Sequence, residues 1–210
     1  MRYAVREFYR DRETYADRVF FSEDTFAVAD GMGVGRGASV AAEKAVRLVS
    51  EERPFRSIDE IYAFFNRANR KIMDEIAKLG DRHVTGTTLS LLSFNGNSYL
   101  IGHVGDSRIY LWRRGWIEML TVDQVKVRGG RKYVSVLGID WTPDVVLREG
   151  TCERGDVFLL ISDGAVGKIG DEDLCGLIDT DVERSADRIL NLYRSLSPEE
   201  DLSLVMVLVD

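Results

Sequence analysis

Cysteine, histidine and proline are scarce in this 210-residue chain, which has two, two and three of them. The cysteines, Cys152 and Cys175, lie far apart and in no metal-ligand spacing. That excludes a cysteine-built metal site and points to free, partly buried thiols in a reducing compartment. Basic residues are also short, with 28 Lys and Arg against 35 Asp and Glu and a net charge of −7. This argues against a nucleic-acid or anionic-membrane partner. No apolar run approaches membrane-spanning length and no secretory leader precedes Tyr3, so a soluble, cytoplasmic protein is expected. Internal repeats, linkers and low-complexity tracts are all missing, and the length suits a single domain over residues 1–210. What is present is 45% hydrophobic and 30% charged residues, enough for a packed core under a well-charged surface.

The pattern along the chain groups strands by hairpins. Residues 2–9 alternate loosely, and Arg18–Phe21 and residues 25–30 form a hairpin across Ser22-Glu23-Asp24. An alanine-rich helix follows Gly37, carrying Ala41, Ala42, Ala45, Leu48 and Val49 to one side, and Pro54 lies beyond its end. A second helix starts near Asp59, with Ser57 as N-cap and Glu60 at the reciprocal position of a capping box. Its stripe runs Ile61, Tyr62, Phe65, Ala68, Ile72, Ile76 and Leu79, and Gly80 ends it. From Val84 the period becomes two: residues 87–94 and 98–104 pair across Asn95-Gly96-Asn97, and 107–112 and 116–120 across Arg113-Arg114-Gly115. Residues 122–135 are polar with little pattern and read as loop. Strands at 145–147 and 156–161, two short helices, a helix over about 181–195 and a very apolar strand at 202–209 complete the chain. Hairpin grouping implies antiparallel sheets and an α+β class. Covering this much strand asks for a four-layer α-β-β-α sandwich, with two sheets inside and helices outside.

The chemistry lies where strands start or stop. The apolar run Phe26–Ala29 ends abruptly in Asp30-Gly31, and Phe158–Ile161 ends in Ser162-Asp163-Gly164. Asp106 and Asp201 stand at other strand ends, and Asp17 precedes the second strand. One such aspartate is ordinary turn chemistry. Several together suggest carboxylates converging on a hard divalent cation such as Mg²⁺ or Mn²⁺, which wants oxygen ligands. Two ions sharing Asp30 could activate a water and clamp an oxyanion.

Taken together, Asp30-Gly-Met-Gly33, Thr85-Gly-Thr-Thr-Leu89, Gly105-Asp-Ser-Arg108, Leu120-Thr-Val-Asp123, Val136-Leu-Gly138, Ser162-Asp-Gly164 and Asp201 before Leu204-Val-Met-Val207 resemble the ordered motifs of a known family. This is the protein phosphatase 2C family of metal-dependent Ser/Thr phosphatases, especially its small bacterial members. The resemblance covers nearly the whole chain. It implies a helix-flanked β-sandwich with a binuclear Mn²⁺ or Mg²⁺ centre at one end. By match, Asp30 would bridge the ions and Gly31 would lend its carbonyl to one, while Asp163 and Asp201 would complete the other site. Asp106 matches a position that helps to hold a third, looser ion in bacterial relatives. Arg12 stands where the family binds phosphate, and a guanidinium fork suits that geometry; the plain alternative is an exposed residue in a charged loop.

The chain also departs from the pattern. Tyr15-Ala16-Asp17 replaces the usual Asn-Glu-Asp, so a carboxylate is missing at Ala16, and Asp17 could support the metal waters or ligate directly. The segment between Asp123 and Val136 is short for a flap and implies a more open site. Gln124 stands where histidine is common, and Leu202 where asparagine is usual. His103 reads as a structural imidazole and His83 as a loop residue. Met32 replaces the histidine that serves some relatives as general acid.

The expected activity is direct hydrolysis of phosphoserine or phosphothreonine by metal-activated water, on a phosphorylated protein opposite a Ser/Thr kinase. No cysteine sits in a phosphate-cradling loop, so no covalent phosphoenzyme is expected. A monomer is expected. The alternatives are a catalytically weakened or inactive regulatory domain that binds a partner, favoured by Ala16, and a phosphatase of small phosphomonoesters.

Overall fold

The computed structural model describes residues 1–11, 14–33, 35–80 and 84–210. Its strands are β1 Arg2–Phe8, β2 Arg18–Phe21, β3 Thr25–Ala29, β4 Gly31–Met32, β5 Gly86–Thr87, β6 Leu89–Asn95, β7 Ser98–Val104, β8 Arg108–Arg113, β9 Trp116–Met119, β10 Val125–Arg128, β11 Arg131–Val134, β12 Val146–Thr151, β13 Val157–Ile161 and β14 Leu202–Leu208. The helices are α1 Arg36–Glu52, α2 Ile58–Lys78, α3 Asp171–Leu177 and α4 Val182–Ser195, with a 3-10 turn at Asp163–Ala165.

Two five-stranded sheets carry the molecule, ordered β1-β14-β13-β8-β9 and β12-β7-β6-β3-β2. Every strand pairing in them is antiparallel. The central strands are buried on both faces, and the period of two decides which face meets what. On β13, Val157, Leu159 and Ile161 point to the α3/α4 side, while Phe158 and Leu160 point between the sheets. β14 divides likewise, with Leu202, Leu204, Met206 and Leu208 toward the helices and Val205 and Val207 inward. On β6, Leu89 and Leu91 face α1 and α2, and Leu92 and Phe94 face the other sheet. The expected α-β-β-α sandwich follows from these three apolar layers. Each fully buried Leu or Phe in them stabilises by about 1.5–3 kcal/mol.

Local chemistry positions the helices. Ser57 Oγ accepts from the Glu60 backbone N–H at 3.2 Å. Glu60 returns the bond one residue earlier than a capping box requires, accepting from Arg56 N–H at 2.8 Å. α4 is capped by Asp181, whose Oδ1 accepts from Arg184 N–H. Of the two short helices expected after Gly164, α3 is the one that follows it; the 3-10 turn at Asp163–Ala165 contains Gly164 itself.

One expectation is corrected. Residues 122–135 are not loop throughout, because Val125–Arg128 pairs with Arg131–Val134 across Gly129-Gly130. Both glycines have positive φ, 55° and 75°, which is what a tight hairpin turn between right-twisted strands demands. The alternation was invisible because the hairpin buries neither face: Val127 and Tyr133 are exposed. Both cysteines are free thiols, with Cys152 buried. Among the described residues no helix is long and apolar enough to cross a membrane.

Candidate functional site

At one end of the sandwich a cleft of about 720 Å³ is lined by Asp17, Asp30, Gly31, Asp106, Asp163 and Asp201, together with Arg10, Ala16, Met32, Arg36 and Val134. The structure therefore brings together every aspartate singled out in the sequence. Arg12 and His83 lie outside the described residues.

Each aspartate is delivered by a defined element. Asp30 follows β3, and its backbone is locked on both sides. Its N–H donates to Thr88 Oγ1 at 3.0 Å, and its carbonyl accepts from Thr88 N–H at 2.9 Å and Thr87 Oγ1 at 3.0 Å. Gly31 is needed because a Cβ there would stand 2.3 Å from the Ala38 carbonyl oxygen and 2.9 Å from that of Ala16. The glycine lets the first turn of α1 close onto the carboxylate-bearing turn. Gly164 serves the second Asp-Gly pair in the same way: a Cβ would meet the Asp201 carbonyl oxygen at 1.9 Å. That close approach sets Asp201 beside Asp163. Asp201 Oδ1 in turn accepts from Arg10 N–H at 2.8 Å. Asp106 sits in the turn between β7 and β8, beneath Thr88, whose hydroxyl bonds Ser107 Oγ at 3.0 Å.

The carboxyls face one another at close range. Asp30 is drawn into hydrogen bonds with both Asp17 and Asp163, and its pKa lies well above the ordinary carboxylate range through burial and the two neighbouring charges. Burial also pushes Asp17 up, to about 6, although the Ser162 and Ser203 hydroxyls and Asp30 partly oppose the rise. Asp163 and Asp201 are raised as well, each chiefly by burial. Asp17 is buried, and its Oδ2 has no hydrogen-bond partner. Among the described residues no Lys or Arg side chain forms an ion pair with Asp17 or Asp30.

No three His, Cys, Asp or Glu side chains among the described residues are already spread into a ligand cage. The carboxyls are instead turned onto each other and onto nearby hydroxyls, an arrangement that without a counter-charge requires some of them to keep their protons. The donor set still fits hard divalent cations. It is all oxygen, it is acidic, and one buried carboxylate oxygen, Asp17 Oδ2, is unpartnered.

Sequence reasoning missed Lys132. The β10–β11 hairpin carries its ammonium to 2.8 Å from Asp106 Oδ2 and 3.8 Å from Asp163 Oδ2. Burial alone would lower the pKa of this lysine, but the Asp106 and Asp163 carboxylates outweigh it and raise it. The segment expected, from its shortness, to leave a more open site therefore reaches into it. In sequence, Lys132 is one of several basic residues in a polar stretch, and only the hairpin register separates it from the rest.

The other departures have plain structural roles. Gln124 stitches the chain, its Oε1 accepting from Gly105 N–H at 2.8 Å and its Nε2 donating to the Asp144 carbonyl at 2.6 Å. Asp123 holds Arg108 through both carboxylate oxygens at 2.9 and 2.7 Å. His103 is fully buried between Ser90 Oγ and the Gly105 carbonyl, 2.9 and 3.0 Å away, and burial lowers its pKa. It is the structural imidazole expected. Tyr15 turns its hydroxyl to Glu7 Oε1 at 2.8 Å and Ser203 Oγ at 2.6 Å, leaving Ala16 on the cleft wall.

Comparison with known proteins agrees with this architecture. The chain is 30% identical over 162 residues to the serine/threonine protein phosphatase PstP of Mycobacterium tuberculosis, an overlap covering 68% of this chain and 31% of that protein. The chain thus spans about a third of the length of the curated relatives it matches. The crystal structure of the M. tuberculosis phosphatase PstP/Ppp superposes with a TM-score of 0.89 at 25% identity, covering 100% of this chain and 98% of that one. A structure of the PstP catalytic domain in complex with two manganese ions gives 0.85 at 27% identity, over 100% of this chain and 98% of its own. The Protein phosphatase 2C profile matches residues 15–208, and with motif order, sandwich topology and carboxylate cleft in agreement, the chain belongs to the protein phosphatase 2C family.

Proposed function

We propose that residues 1–210 form one catalytic domain that hydrolyses phosphoserine and phosphothreonine in phosphorylated proteins, using a binuclear Mn²⁺ or Mg²⁺ centre in the carboxylate cleft. The observation that carries this reading is the convergence of Asp17 and Asp163 on Asp30, with Asp201 alongside and, among the described residues, no basic side chain paired to Asp17 or Asp30. Such a cluster is costly unless a cation neutralises it.

In this reading Asp30 would be the ligand held in common, because its carboxyl reaches both Asp17 and Asp163. Gly31 would offer its carbonyl beside it, and Asp163 and Asp201 would hold one of the ions, while Asp106 lines a neighbouring position that faces Lys132. Asp17 stands in for the ligand that Ala16 cannot supply. Bound there, divalent ions supply Lewis-acid activation of water and neutralise phosphoryl charge. Thr87 and Thr88 keep the Asp30 backbone from shifting as charge builds. Arg12 holds the phosphate of the substrate, and Met32, on the cleft wall, contributes no proton. The enzyme works as a cytoplasmic monomer opposite a Ser/Thr kinase.

A second reading, a phosphatase-fold domain with weakened or no catalysis that binds a partner, draws on one observation. Ala16 faces the cleft without a ligand atom, and the Tyr15 hydroxyl is committed elsewhere. Hydrolysis of a phosphothreonine peptide separates the two. It should require added Mn²⁺ or Mg²⁺, stop with chelator and collapse in Asp163→Asn. If the folded, metal-supplied wild type is no faster than Asp163→Asn, the binding-domain reading stands. A small phosphomonoester assayed in parallel, turned over faster than the peptide, would shift the substrate class.

A further inference from the structure

Lys132 is the one basic side chain placed within ion-pairing distance of the carboxylate cluster among the described residues, and its placement is built rather than incidental. Its hairpin is rooted on the turn that carries Asp106. Gln124 N–H donates to the Gly105 carbonyl at 2.8 Å, Gly105 N–H donates back to Gln124 Oε1 at 2.8 Å, and Ser135 N–H donates to the Gln124 carbonyl at 3.0 Å. With the root fixed, the register Val127 to Lys132 determines which residue leans over the cleft. Asp106, for its part, is buried, and its Oδ2 makes no hydrogen bond of regular geometry. Its counter-charge is the Lys132 ammonium at 2.8 Å.

We propose that Lys132 is a built-in cation that occupies the position between Asp106 and Asp163, so that this chain takes up no divalent ion there while the hairpin is docked. The inference rests on reading the cleft as a metal centre. A small hard ion such as Mg²⁺ needs carboxylate oxygens at about 2.0–2.1 Å, and an ammonium 2.8 Å from one oxygen and 3.8 Å from the other fills that wedge. One positive charge delivered by the chain then does locally what a loosely held ion would do: it offsets the repulsion between the Asp106 and Asp163 carboxylates. Because the Lys132 side chain is 53% exposed, its stem lies in solvent and only its head group is committed. The ammonium can therefore leave when the divalent ion is concentrated enough to compete.

The test counts ions and does not depend on turnover. Chelator-stripped protein is titrated with Mn²⁺ by calorimetry and by equilibrium dialysis, with circular dichroism confirming the fold of each variant. At Mn²⁺ concentrations that just fill the wild-type sites, Lys132→Met should bind one more Mn²⁺ per chain than wild type, and Lys132→Met with Asp106→Asn should lose that extra ion. Lys132→Arg keeps the charge and should bind as wild type does, which separates the loss of the cation from a loosened hairpin. Equal stoichiometry and affinity in wild type and Lys132→Met overturns the proposal, as does an extra ion in Lys132→Arg. A wild type that binds no Mn²⁺ at all overturns the metal-centre reading itself and this inference with it, a result distinct from either of the others.

Discussion

Asp156 and Asp163 flank the same strand, β13, roughly 23 Å apart at about 3.3 Å per residue, and their surroundings treat a carboxylate in opposite ways. At the Asp156 end the side chain is buried and fully answered. Arg113 donates from Nε and Nη2 at 2.7 Å each, and Glu153 N–H donates at 2.7 Å. At the Asp163 end, Asp17 is just as deeply buried yet keeps an unpartnered oxygen. Asp30 there has two other carboxyls for neighbours. Equal burial with unequal pairing means that burial alone says nothing about role. The Asp156 end is finished by the chain itself. The Asp163 end is left short of positive charge, with Lys132 as a partial answer.

The largest contrast comes from removing one charge at each end. Asp30→Asn takes away the shared carboxylate, and phosphothreonine-peptide turnover should fall by at least about 100-fold, each tenfold being about 1.4 kcal/mol of barrier. The same substitution should leave the chelator-treated protein as stable as wild type or more so near pH 7, because it relieves repulsion. Parallel kinetics and urea melts check both signs. A large stability loss in Asp30→Asn would mean that the carboxylate is structural.

Asp156→Asn should do the reverse. It leaves the Arg113 fork half-answered and should cost about 2–4 kcal/mol, below the upper range for a buried pair because the guanidinium is partly exposed. Mn²⁺ affinity should be unchanged. Denaturant midpoints with and without Mn²⁺ would show whether the two ends of β13 act independently.

Proton binding offers a smaller, graded test. The Asp17 carboxyl is pushed up to about 6 in the fold, chiefly by burial, against about 3.9 in an unfolded chain. The folded form then holds its proton more tightly, so this group's contribution is complete below about pH 4 and is lost as pH rises through 6. In chelator-treated protein, Asp17→Asn should therefore match wild type near pH 4 and melt at a higher temperature at pH 7. Mn²⁺, which binds only the ionised carboxylates, should erase or invert that difference in favour of wild type. Melting curves from pH 4 to 7, with and without Mn²⁺, read it directly.

How much of this was legible beforehand depended on whether a signal was local. The apolar runs of β13 and β14 ending at Asp163 and beginning after Asp201 declare both the sheet centre and the cleft, since a strand buried on two faces has few places to put a carboxylate. Gly31 and Gly164 are equally local, because each sits beside its aspartate and each is demanded by a backbone oxygen that would strike a Cβ. The β10–β11 hairpin is different. Its residues are mostly exposed, so no alternation marks it, and its one clue, Gly129-Gly130, predicts a turn without saying where the turn docks. The role of Lys132 depends on Gln124 bonding across to Gly105, a contact between segments 19 residues apart. Nothing in the identity of a lysine announces such a contact.

Ala16 gives the finest test of the contrast, because it asks whether the open end of β13 is unfinished or merely finished differently. Ala16 lines the cleft, and its carbonyl stands against Gly31. Tyr15 is anchored away from the cleft on Glu7 and Ser203, so a longer side chain at 16 need not disturb it. Ala16→Glu adds a carboxylate where ions would bind, and should tighten Mn²⁺ binding by roughly three- to tenfold, on the order of 1 kcal/mol. In the chelator-treated protein it should lower stability slightly by adding to the repulsion. Calorimetric Mn²⁺ affinity with half-saturation of turnover decides the matter. A tighter site with a faster rate means that the chain carries a weakened second site. Unchanged affinity would mean that the free oxygen of Asp17 already supplies the ligand, and that the carboxylate missing at 16 has been replaced from the neighbouring position.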